Sequence, residues 1–593
     1  MKKALSAIAA LLLVCSLTSC NNFGFPVEDL TPDINDKNHT EKPTDDQNSP
    51  NTSNDPDDPI KIPNPVNPPA NLVYPEVTIT EASAYMFVGD THKIQYKTKT
   101  GDQTNTNIIN WMSSSKCVSV QNGVITANKE GFAYVSANGG NQMLVSVLPR
   151  KMATMSVNTG GADITSNEVY TTCSVSLDTE NEDYNLSSVP AGIRLRGNST
   201  KLNPKKPYRI KFNSKQNLLG MNSGAEYKSW VLLAEYQHDS LSQNTAAFTA
   251  AALILEEYSS DWRYVTLKIN GVNMGVYVLC EQSQINEHRV DIEHGGEKSK
   301  ELMTGYLMEF DASLGMADNK FRLYYDNLEI MKIDGEKYTR ACNDEGKQLC
   351  YVALKNNEYT NDQFLFMKYY VRSVFRIIYE ATYFNKAYVF ADDFIEDPSK
   401  ADEYLARCRV DNGIKLLETT SLTPKEAIER VVDVESLARM YIFSEIVCNG
   451  DDSKKSYYFW VDLSENGSKK LTFGCPWDHD GAMVAWNTHT FRDTEGYYTA
   501  IRNLWYVMII NNEWFVDKVK ELWQDIYSCS NAFENVTDVV LLSSDVYKEE
   551  FLTDNVLWQR KHSQSDQAIL LAEWLTDRIE WMNSVFGSTE QIS

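Results

Sequence analysis

The chain has 593 residues, 42% of them hydrophobic, and it carries a formal net charge of −25 at pH 7. This length suffices for about three to four domains, and the hydrophobic fraction is large enough to build sizeable cores. The negative charge argues against nucleic acid as a partner, because a surface that binds phosphates needs a basic field.

The first twenty residues have the features of a targeting segment. Lys2 and Lys3 precede the apolar run Ala4–Leu17, and the sequence LTSC then ends at Cys20. This order is typical of a secretory signal, and it resembles a bacterial lipoprotein signal, in which a lipid is attached to the cysteine. A plain secretory signal with a chance cysteine is the alternative. We expect an extracytoplasmic protein, held at the bacterial cell envelope only by lipid on Cys20, because no other apolar run of the sequence is long enough to span a bilayer.

Residues 21–72 are rich in Asp, Asn, Pro and Thr and contain almost no aromatic side chains. Such a composition cannot bury enough apolar surface to fold. We predict a disordered linker that carries the rest of the chain away from the membrane.

Residues 73–150 contain short alternating strand patterns separated by Gly and Asn turns, such as EVTITE, HKIQYKT, VSVQNGVITA and QMLVSVLP. Regular short strands of this kind predict a small β-sandwich. The pattern W-x-S-S followed by V-S-V-x-N-G-V-I-T-A resembles a bacterial Ig-like domain of the second type. The resemblance implies Trp111 in the core, Gly123 in a turn, and a spacer or adhesive role without chemistry.

Residues 151–593 change from strand patterns to helical patterns along the chain. Strand patterns such as GIRLRGN, YRIKF, YVTLKING and GYLMEFD come first. Helical spacing of apolar residues then predicts helices over Phe364–Ile378, after the capping residue Asp433, and in the regions Trp505–Tyr527 and Gln564–Phe586. A strand-rich lobe followed by a helical lobe is an α+β bilobal arrangement, in which a site usually lies in the cleft between the lobes.

Several common catalytic motifs do not occur in the sequence. It has no H-E-x-x-H, no G-x-S-x-G, no Walker loop, no G-x-G-x-x-G and no C-x-x-C. These absences argue against zinc proteases, α/β-hydrolases, P-loop enzymes, dinucleotide-binding enzymes and thioredoxin-like or zinc-binding cysteine sites.

The first candidate site is the basic hairpin RLRGNSTKLNPKKPYRIKF. Arg196–Ser199 form a compact turn after a strand, and in the next strand Arg209 and Lys211 alternate with apolar residues, so both cations lie on one face. Glycine lets the backbone approach an anion, Asn and Ser supply donors, and the cations neutralise its charge. The hairpin can therefore cover a phosphate. The alternative is an ordinary edge hairpin with solvated Lys and Arg side chains.

Two acidic motifs lie at the same end of a predicted hairpin. In NGDDSKKSYYFW, Asp451 and Asp452 follow an apolar helix, where negative charge opposes the helix dipole. This motif either holds a catalytic carboxylate or forms a solvated turn. In CPWDHDGAM, Asp478 and Asp480 follow the second strand of the hairpin. Three converging carboxylates repel each other, and a divalent cation among them would relieve the repulsion.

Together these parts match an arrangement used for phosphoryl transfer, in which cations and metal bring two negatively charged reactants together. The region 151–593 here resembles the CotH family of atypical secreted protein kinases, named for spore coat protein H. The matching motifs, in the family's order, are RLRGNSTKLNPKKPYRIKF, WVLLAEYQHDSLSQN, YVTLKINGVNMGVYVLCEQ, GYLMEFD, NGDDSKKSYYFW and CPWDHD. The resemblance implies a diverged, bilobal kinase-like fold, ATP with Mg²⁺ or Mn²⁺ as cofactors, and phosphorylation of Ser or Thr on surface or envelope proteins.

The resemblance also assigns roles by position. Asp451 matches the catalytic carboxylate that orients or deprotonates the substrate hydroxyl. Asp478 matches a metal ligand, with Asp480 in support, and Glu281 resembles a residue at the entry to the linker between the lobes, near the adenine. The residues expected to face the phosphates of ATP are Arg196, Asn198, Ser199, Lys206, Arg209 and Lys211.

One position departs from the family pattern. Many members carry a second metal ligand, Asn, five residues after the catalytic Asp, and this chain has Ser456 there. Serine is a shorter and poorer ligand, so Asp452 or a single metal would have to compensate. The alternative to an active kinase is therefore a non-catalytic surface, adhesion or structural lipoprotein with a pseudokinase domain. A weaker alternative takes D-x-D as the metal site of a sugar-nucleotide transferase.

Overall fold

The computed structural model describes residues 75–587 apart from 82, 100–108, 198, 296–298, 312–319, 327–331, 334–335, 338–346, 356–358, 486–489 and 529–532. The predicted signal, Cys20 and the predicted linker lie outside the described residues, and so does Asn198.

The first part of the described chain, residues 75–149, is built from short strands in three small sheets, and we call it the β module. Its strands are β1 (Glu76–Ile79), β2 (Ser83–Phe87), β3 (Thr91–Lys93), β4 (Tyr96–Lys99), β5 (Trp111–Ser113), β6 (Val118–Gln121), β7 (Val124–Ala127), β8 (Gly131–Ala137) and β9 (Gln142–Leu148). The sheets are β1–β4, β3–β7–β6 and β2–β9–β8–β5. They enclose an apolar core that includes Ile125, Val135 and Val145.

Most strands of the β module follow the predicted patterns. Gly123 lies in the predicted turn with a φ of 73°. Trp111 is partly buried against the module core and packs edge-on against Tyr96, with ring centroids 5.1 Å apart. The structure adds β2, which pairs in parallel with β9. The sequence did not predict β2 because its run SAYMF has no Gly, Pro or Asn directly before it.

Seven strands then close a barrel in the order β10–β11–β12–β13–β14–β16–β15. They are β10 (Ala153–Asn158), β11 (Thr171–Asp178), β12 (Leu186–Leu195), β13 (Tyr208–Gln216), β14 (Tyr227–Leu233), β15 (Trp262–Ile269) and β16 (Val272–Cys280). Because side chains alternate along a strand, Tyr208, Ile210 and Phe212 enter the barrel core while Arg209 and Lys211 lie on its outer face. The predicted common face of the two cations is confirmed.

A second, five-stranded sheet has the order β18–β21–β17–β24–β25. Its strands are β17 (Gly305–Phe310), β18 (Lys320–Asp326), β21 (Lys347–Lys355), β24 (Tyr457–Asp462) and β25 (Thr472–Phe473), and two-stranded sheets pair β19 (Lys332–Ile333) with β20 (Glu336–Lys337) and β22 (Ala387–Phe390) with β23 (Leu416–Thr419). The strands β24 and β25 form the predicted antiparallel hairpin, with Phe459 opposite Phe473.

Helices dominate the second half of the described chain. Helix α1 (Gln243–Ile254) is inserted between β14 and β15, and the others are α2 (Asn361–Phe384), α3 (Ala401–Asp411), α4 (Pro424–Glu429), α5 (Val434–Val447), α6 (Leu504–Ile509), α7 (Glu513–Ser528), α8 (Glu534–Val546), α9 (Lys548–Leu557) and α10 (Gln564–Phe586). The predicted cap of α5 is confirmed, because the Asp433 side chain accepts a hydrogen bond from the backbone N–H of Ser436. The predicted helices over Phe364–Ile378 and Gln564–Phe586 correspond to α2 and α10.

Two cores hold these elements together. The barrel encloses one apolar core, and α1, the second sheet and the later helices share a larger one. A strand-rich first part followed by a helical remainder is the α+β organisation expected from the sequence. Within the described ranges, no helix combines the length and the apolar character that crossing a membrane requires.

Candidate functional site

A polar cavity of about 200 Å³ lies where the turn after β12, the ends of β17 and β21, and the loops before β24 and after β25 meet. Its lining residues are Ser199, Thr200, Glu309, Asp311, Lys355, Asp451, Lys455, Ser456, Asp478 and Asp480. The hairpin thus brings Asp451, Asp478 and Asp480 to one place, as the sequence predicted. Five carboxylates and two lysines line the wall, so the cavity can hold cations together with an anion.

Asp478 lies at the centre of the contacts between the barrel and the hairpin. Its backbone is left-handed, with a φ of 62°. Its Oδ2 accepts a hydrogen bond from the Ser456 hydroxyl over 3.3 Å, and its Oδ1 lies 3.9 Å from Arg196 Nη2. The Arg196 guanidinium also lies over the Trp477 ring, 5.1 Å from its centroid. The predicted turn cation and the predicted metal ligand are therefore neighbours.

Asp480 is held by an asparagine of helix α1. Asn244 Nδ2 donates to Asp480 Oδ1 over 2.8 Å, and Asn244 Oδ1 accepts from the backbone N–H of His479 over 2.9 Å. One amide therefore fixes both the carboxylate and the backbone of this loop. Burial, with the charge of Asp478, raises the pKa of Asp480 to about 6, although Arg196 opposes the shift.

His479 takes no part in the cavity wall. The side chain is 1% exposed and packs edge-on against Phe248 and Phe443, with ring centroids 5.5 and 5.4 Å away. Burial lowers its pKa to about 3, so the ring is neutral at physiological pH. His479 anchors the loop between the two aspartates and does not act as an acid or a base.

Asp451 lines the same cavity as Asp478. Its Oδ2 is 2.8 Å from Lys455 Nζ. Burial raises the pKa of Asp451, Lys455 opposes this shift, and Asp478 adds to it. Asn449 joins the two loops, because its Oδ1 accepts from the Asp451 N–H and its Nδ2 donates to the Asp478 carbonyl oxygen, each over 3.2 Å. The Asn449 side chain therefore ties the backbone of Asp451 to that of Asp478.

Asp452, which the sequence offered as a replacement ligand beside Ser456, does not line the cavity. It is 2% exposed and lies beside Ser444 and Asn449 on the helical side. Burial raises its pKa to about 8. Asp452 therefore lies behind the cavity wall, and its carboxyl group is protonated at neutral pH.

Sequence reasoning did not select Glu309, Asp311 or Lys355. Lys355 Nζ lies 2.5 Å from Glu309 and 3.6 Å from Asp311. Burial lowers the pKa of Lys355, but the two carboxylates outweigh burial and raise it, so the amine stays charged. The signal was present in GYLMEFD, where a glutamate interrupts a buried strand and an aspartate follows it. No local sequence pattern marks Lys355, because it reaches the cavity only through the pairing of β21 with β17.

The predicted phosphate-facing cations differ in their surroundings. Arg209 Nε and Arg196 Nη1 are buried and have no hydrogen-bond partner among the described residues. Burial lowers the pKa of Arg209, and the neighbouring charges of Arg194 and Arg196 lower it further. Lys211 is exposed and Lys206 is partly exposed, and neither lines the cavity. Arg196 adjoins the cavity through Asp478, and an anion bound there would supply a partner for its Nη1.

Glu281 lies in a buried network away from the cavity-lining residues. Its side chain is fully buried, and its Oε1 lies 3.2 Å from Arg289 Nε and 3.1 Å from Asn222 Nδ2. Its Oε2 accepts from the Asp261 N–H over 3.2 Å. These contacts satisfy the carboxylate, and its predicted place near the adenine stays a prediction.

The cavity wall offers carboxylate and hydroxyl oxygens as ligands for a divalent metal. Among the described residues, no group of three or more His, Cys, Asp or Glu side chains is arranged to hold a metal ion alone. Mg²⁺ is usually bound by one or two carboxylates, with phosphate oxygens and water completing the shell. Asp478 and Asp480 fit that pattern, since they line the same cavity as the hydroxyl of Ser456.

A protein-family model matches most of the chain. The family model for CotH kinase protein matches residues 193–362 and 396–582, which include the barrel turn, α1, both acidic loops and most of the helices. No curated protein matches the chain.

Proposed function

Because the chain belongs to the CotH kinase family, we propose that it transfers the γ-phosphate of ATP to Ser or Thr hydroxyls of proteins outside the cytoplasm. Family membership makes it a kinase-like enzyme, and the substrate and the metal dependence are parts of the proposal. One observation carries it: Asp451, Asp478 and Asp480 line one cavity, and Arg196, whose buried Nη1 has no hydrogen-bond partner among the described residues, lies with its Nη2 3.9 Å from Asp478.

Asp451 is proposed to accept or orient the proton of the substrate hydroxyl. Burial raises its pKa, which makes the carboxylate a better base than a solvated aspartate. Lys455, 2.8 Å away, lines the same cavity and would face the transferred phosphoryl group. Charge on that group is stabilised by fixed cations in a water-poor site.

Asp478 and Asp480 are proposed to hold Mg²⁺ or Mn²⁺, with Ser456 as a weak neutral ligand. The bound metal would neutralise charge on the phosphates. The cavity of about 200 Å³ is small beside the 300–1,000 Å³ typical of whole-ligand pockets. We therefore assign it to the phosphate end of ATP, with the nucleoside outside it.

Arg196 and Ser199 are proposed to face the phosphates, with Arg209 behind Arg196. Ser199 lines the cavity, and Arg196 contacts a cavity-lining aspartate. Contact of Asn198, Lys206, Lys211 and Glu281 with ATP remains a prediction from the family resemblance alone.

We further propose the architecture that goes with this function. The barrel with α1 would form one lobe of a bilobal kinase-like domain over about 151–593, and the second sheet with the later helices would form the other. The β module would be a bacterial Ig-like sandwich over 73–150. A lipid on Cys20 and a linker over 21–72 would tether the protein to the cell envelope, so that its substrates are surface or envelope proteins.

The proposal is tested by nucleotide-dependent melting and by phosphate transfer. Saturating ATP with Mn²⁺, at about 100 times its dissociation constant, should stabilise the folded protein by about 2.7 kcal/mol. Asp478→Ala should remove this stabilisation, and it should abolish transfer of radioactive γ-phosphate to a co-expressed surface protein. Asp545→Ala, at an exposed position on α8, is the matched control and should behave as the unchanged protein.

The outcomes separate the candidate functions. Equal labelling by Asp478→Ala would contradict the assignment of the site. Stabilisation by ATP without any transfer would favour a pseudokinase, for which the short side chain of Ser456 is the specific observation. Stabilisation by sugar nucleotides and not by ATP would favour the D-x-D transferase.

A further inference from the structure

Helix α1 contacts the metal-binding loop along one side. Asn244, in its first turn, bonds the Asp480 carboxylate and the His479 N–H. One turn later, Phe248 packs against the rings of His479 and Trp477, with centroids 5.5 and 6.4 Å away. The position of the loop therefore depends on the position of α1.

A different side of the same helix contacts the β module. Thr249 donates its hydroxyl hydrogen to the Thr245 carbonyl oxygen over 2.8 Å, and its side chain lies beside the hydroxyl of Tyr85 of β2, which packs against the core that contains α1. Asn244 and Thr249 are five residues apart, which places them about 140° apart around the axis at 3.6 residues per turn. The helix is thus held between the module and the loop.

The β module is also docked by buried contacts against α8 and Tyr547, and α8 packs against α1. Phe87 of β2 is 3% exposed, belongs to the large core that contains α1, and packs edge-on against Tyr547 with centroids 5.9 Å apart. The Tyr547 hydroxyl donates to the Pro149 carbonyl oxygen over 2.6 Å. Asn535 of α8 donates to the Ser83 hydroxyl. A spacer that only carries a domain has no need to bury an aromatic side chain in that domain's core.

We propose that the β module is a positioning element of the catalytic site: through β2 it holds α1, and through Asn244 and Phe248 α1 holds the Asp478–Asp480 loop. This inference rests on the proposed function for its catalytic meaning, and on the contacts above for its mechanical part. Misplacing a catalytic group by about 1 Å can cost on the order of 100-fold in rate. Loss of module contacts should therefore reach the cavity without altering any residue that lines it.

The test is hydrogen exchange by mass spectrometry on the full chain, with Phe87→Ala as the main variant. We expect exchange to become about tenfold faster in peptides covering α1 and Asp478–Asp480, because local opening is easier once a packing contact is lost. The matched control is Met86→Ala. Met86 is the next residue on the same strand, and it packs into the module's own core. It should loosen the module without speeding exchange in α1 or the loop.

A second variant, Tyr85→Phe, tests the same inference if Phe87→Ala unfolds the module. Tyr85→Phe removes only the hydroxyl that lies beside Thr249 and Ser146, and it should give a smaller acceleration in the same two peptides. It should also lower kcat more than it changes the KM for Mn²⁺–ATP. Unchanged exchange in both peptides in Tyr85→Phe, or equal acceleration by Met86→Ala and Phe87→Ala, would overturn the inference. If the protein binds no nucleotide, the proposed function fails. The hydrogen-exchange result still tests whether the β module positions α1 and the Asp478–Asp480 loop.

Discussion

The Ser456 hydroxyl donates a hydrogen bond to Asp478 Oδ2 over 3.3 Å, from a residue whose backbone is left-handed with a φ of 58°. Asparagine adopts this backbone region more readily than serine does. The backbone conformation at Ser456 therefore suits the asparagine that the family resemblance leads us to expect there. Serine differs from that asparagine in the length and the ligand atom of its side chain.

Ser456→Asn should strengthen metal and nucleotide binding. The longer side chain brings an amide oxygen into the cavity beside Asp478, and the residue already lines that cavity. We expect Mn²⁺–ATP to bind about tenfold more tightly, a change typical of ligand-shell substitutions, and the melting temperature without ligand should not fall. Isothermal titration calorimetry measures the first and thermal unfolding the second. Ser456→Ala is the control with no ligand atom, and an Asn variant that binds no better than Ala would contradict the ligand role of this position.

Arg196 and Lys211 should differ sharply when each is replaced by alanine. Arg196 is within 3.9 Å of Asp478 and has an orphaned Nη1, whereas Lys211 is exposed on the barrel. We expect Arg196→Ala to weaken ATP binding at least tenfold, since a charge-assisted contact contributes about 1.5–3 kcal/mol. Lys211 does not line the cavity, so Lys211→Ala should change it less than twofold, and this result would exclude the ATP contact of Lys211 that the family resemblance predicts. Competition by ATP against a fluorescent nucleotide gives both affinities, and equal losses in the two variants would assign the phosphates to the outer strand face instead.

Local sequence patterns predicted the parts of the site that depend on periodicity. The hairpin of β24 and β25 follows from alternation and a turn, and it brings Asp451 near Asp478. Contacts between residues that are far apart in the sequence could not be predicted from these patterns. Glu309 and Lys355 meet because β17 pairs with β21, and Asn244 reaches Asp480 across 236 positions of the chain. Periodicity within a window contains no information on which distant strand or helix will be its neighbour.

Asp452 should make stability depend on pH in a defined direction. Burial raises its pKa to about 8, so the folded protein keeps a proton that the unfolded chain releases above about pH 4. The contribution of this group to stability is therefore present at low pH and is lost as the pH rises toward 8. Asp452→Asn keeps a neutral side chain at every pH. When the pH rises from 5 to 7.5, the free energy of unfolding of Asp452→Asn should therefore increase, relative to that of the unchanged protein, by on the order of 2–3 kcal/mol.

Urea unfolding of Asp452→Asn and of the unchanged protein, each at pH 5 and pH 7.5, measures this change in relative stability. Asp545→Asn, on the exposed side of α8, is the control for removing one aspartate from the surface. A stability difference for Asp452→Asn that does not change with pH would mean that its carboxyl group is ionised in the folded protein. Because Asp452 does not line the cavity, the same variant should still bind Mn²⁺–ATP.

Lys205 and Lys206 are adjacent in the basic hairpin, and the structure gives them different environments. Lys205 is fully buried, with its Nζ 2.6 Å from the fully buried Asp554 of α9, whereas Lys206 is partly exposed. The same carboxylate accepts from Arg560 Nε and from the Val276 N–H, each over 2.8 Å. A sequence pattern cannot distinguish the two lysines, because the partner carboxylate comes from the last part of the chain.

Replacing each lysine by methionine separates the two environments. Lys205→Met leaves Asp554 buried with less compensation for its charge, and removing one partner of a buried pair costs about 3–5 kcal/mol. Lys206→Met should change stability by less than about 0.5 kcal/mol, as surface substitutions do. Denaturant unfolding of the two variants side by side gives the comparison. Since Asp554 joins α9 to the barrel strand β16, the loss should also be visible as faster hydrogen exchange in both elements. Equal stability of the two variants would show that Arg560 and the Val276 N–H satisfy Asp554 without Lys205.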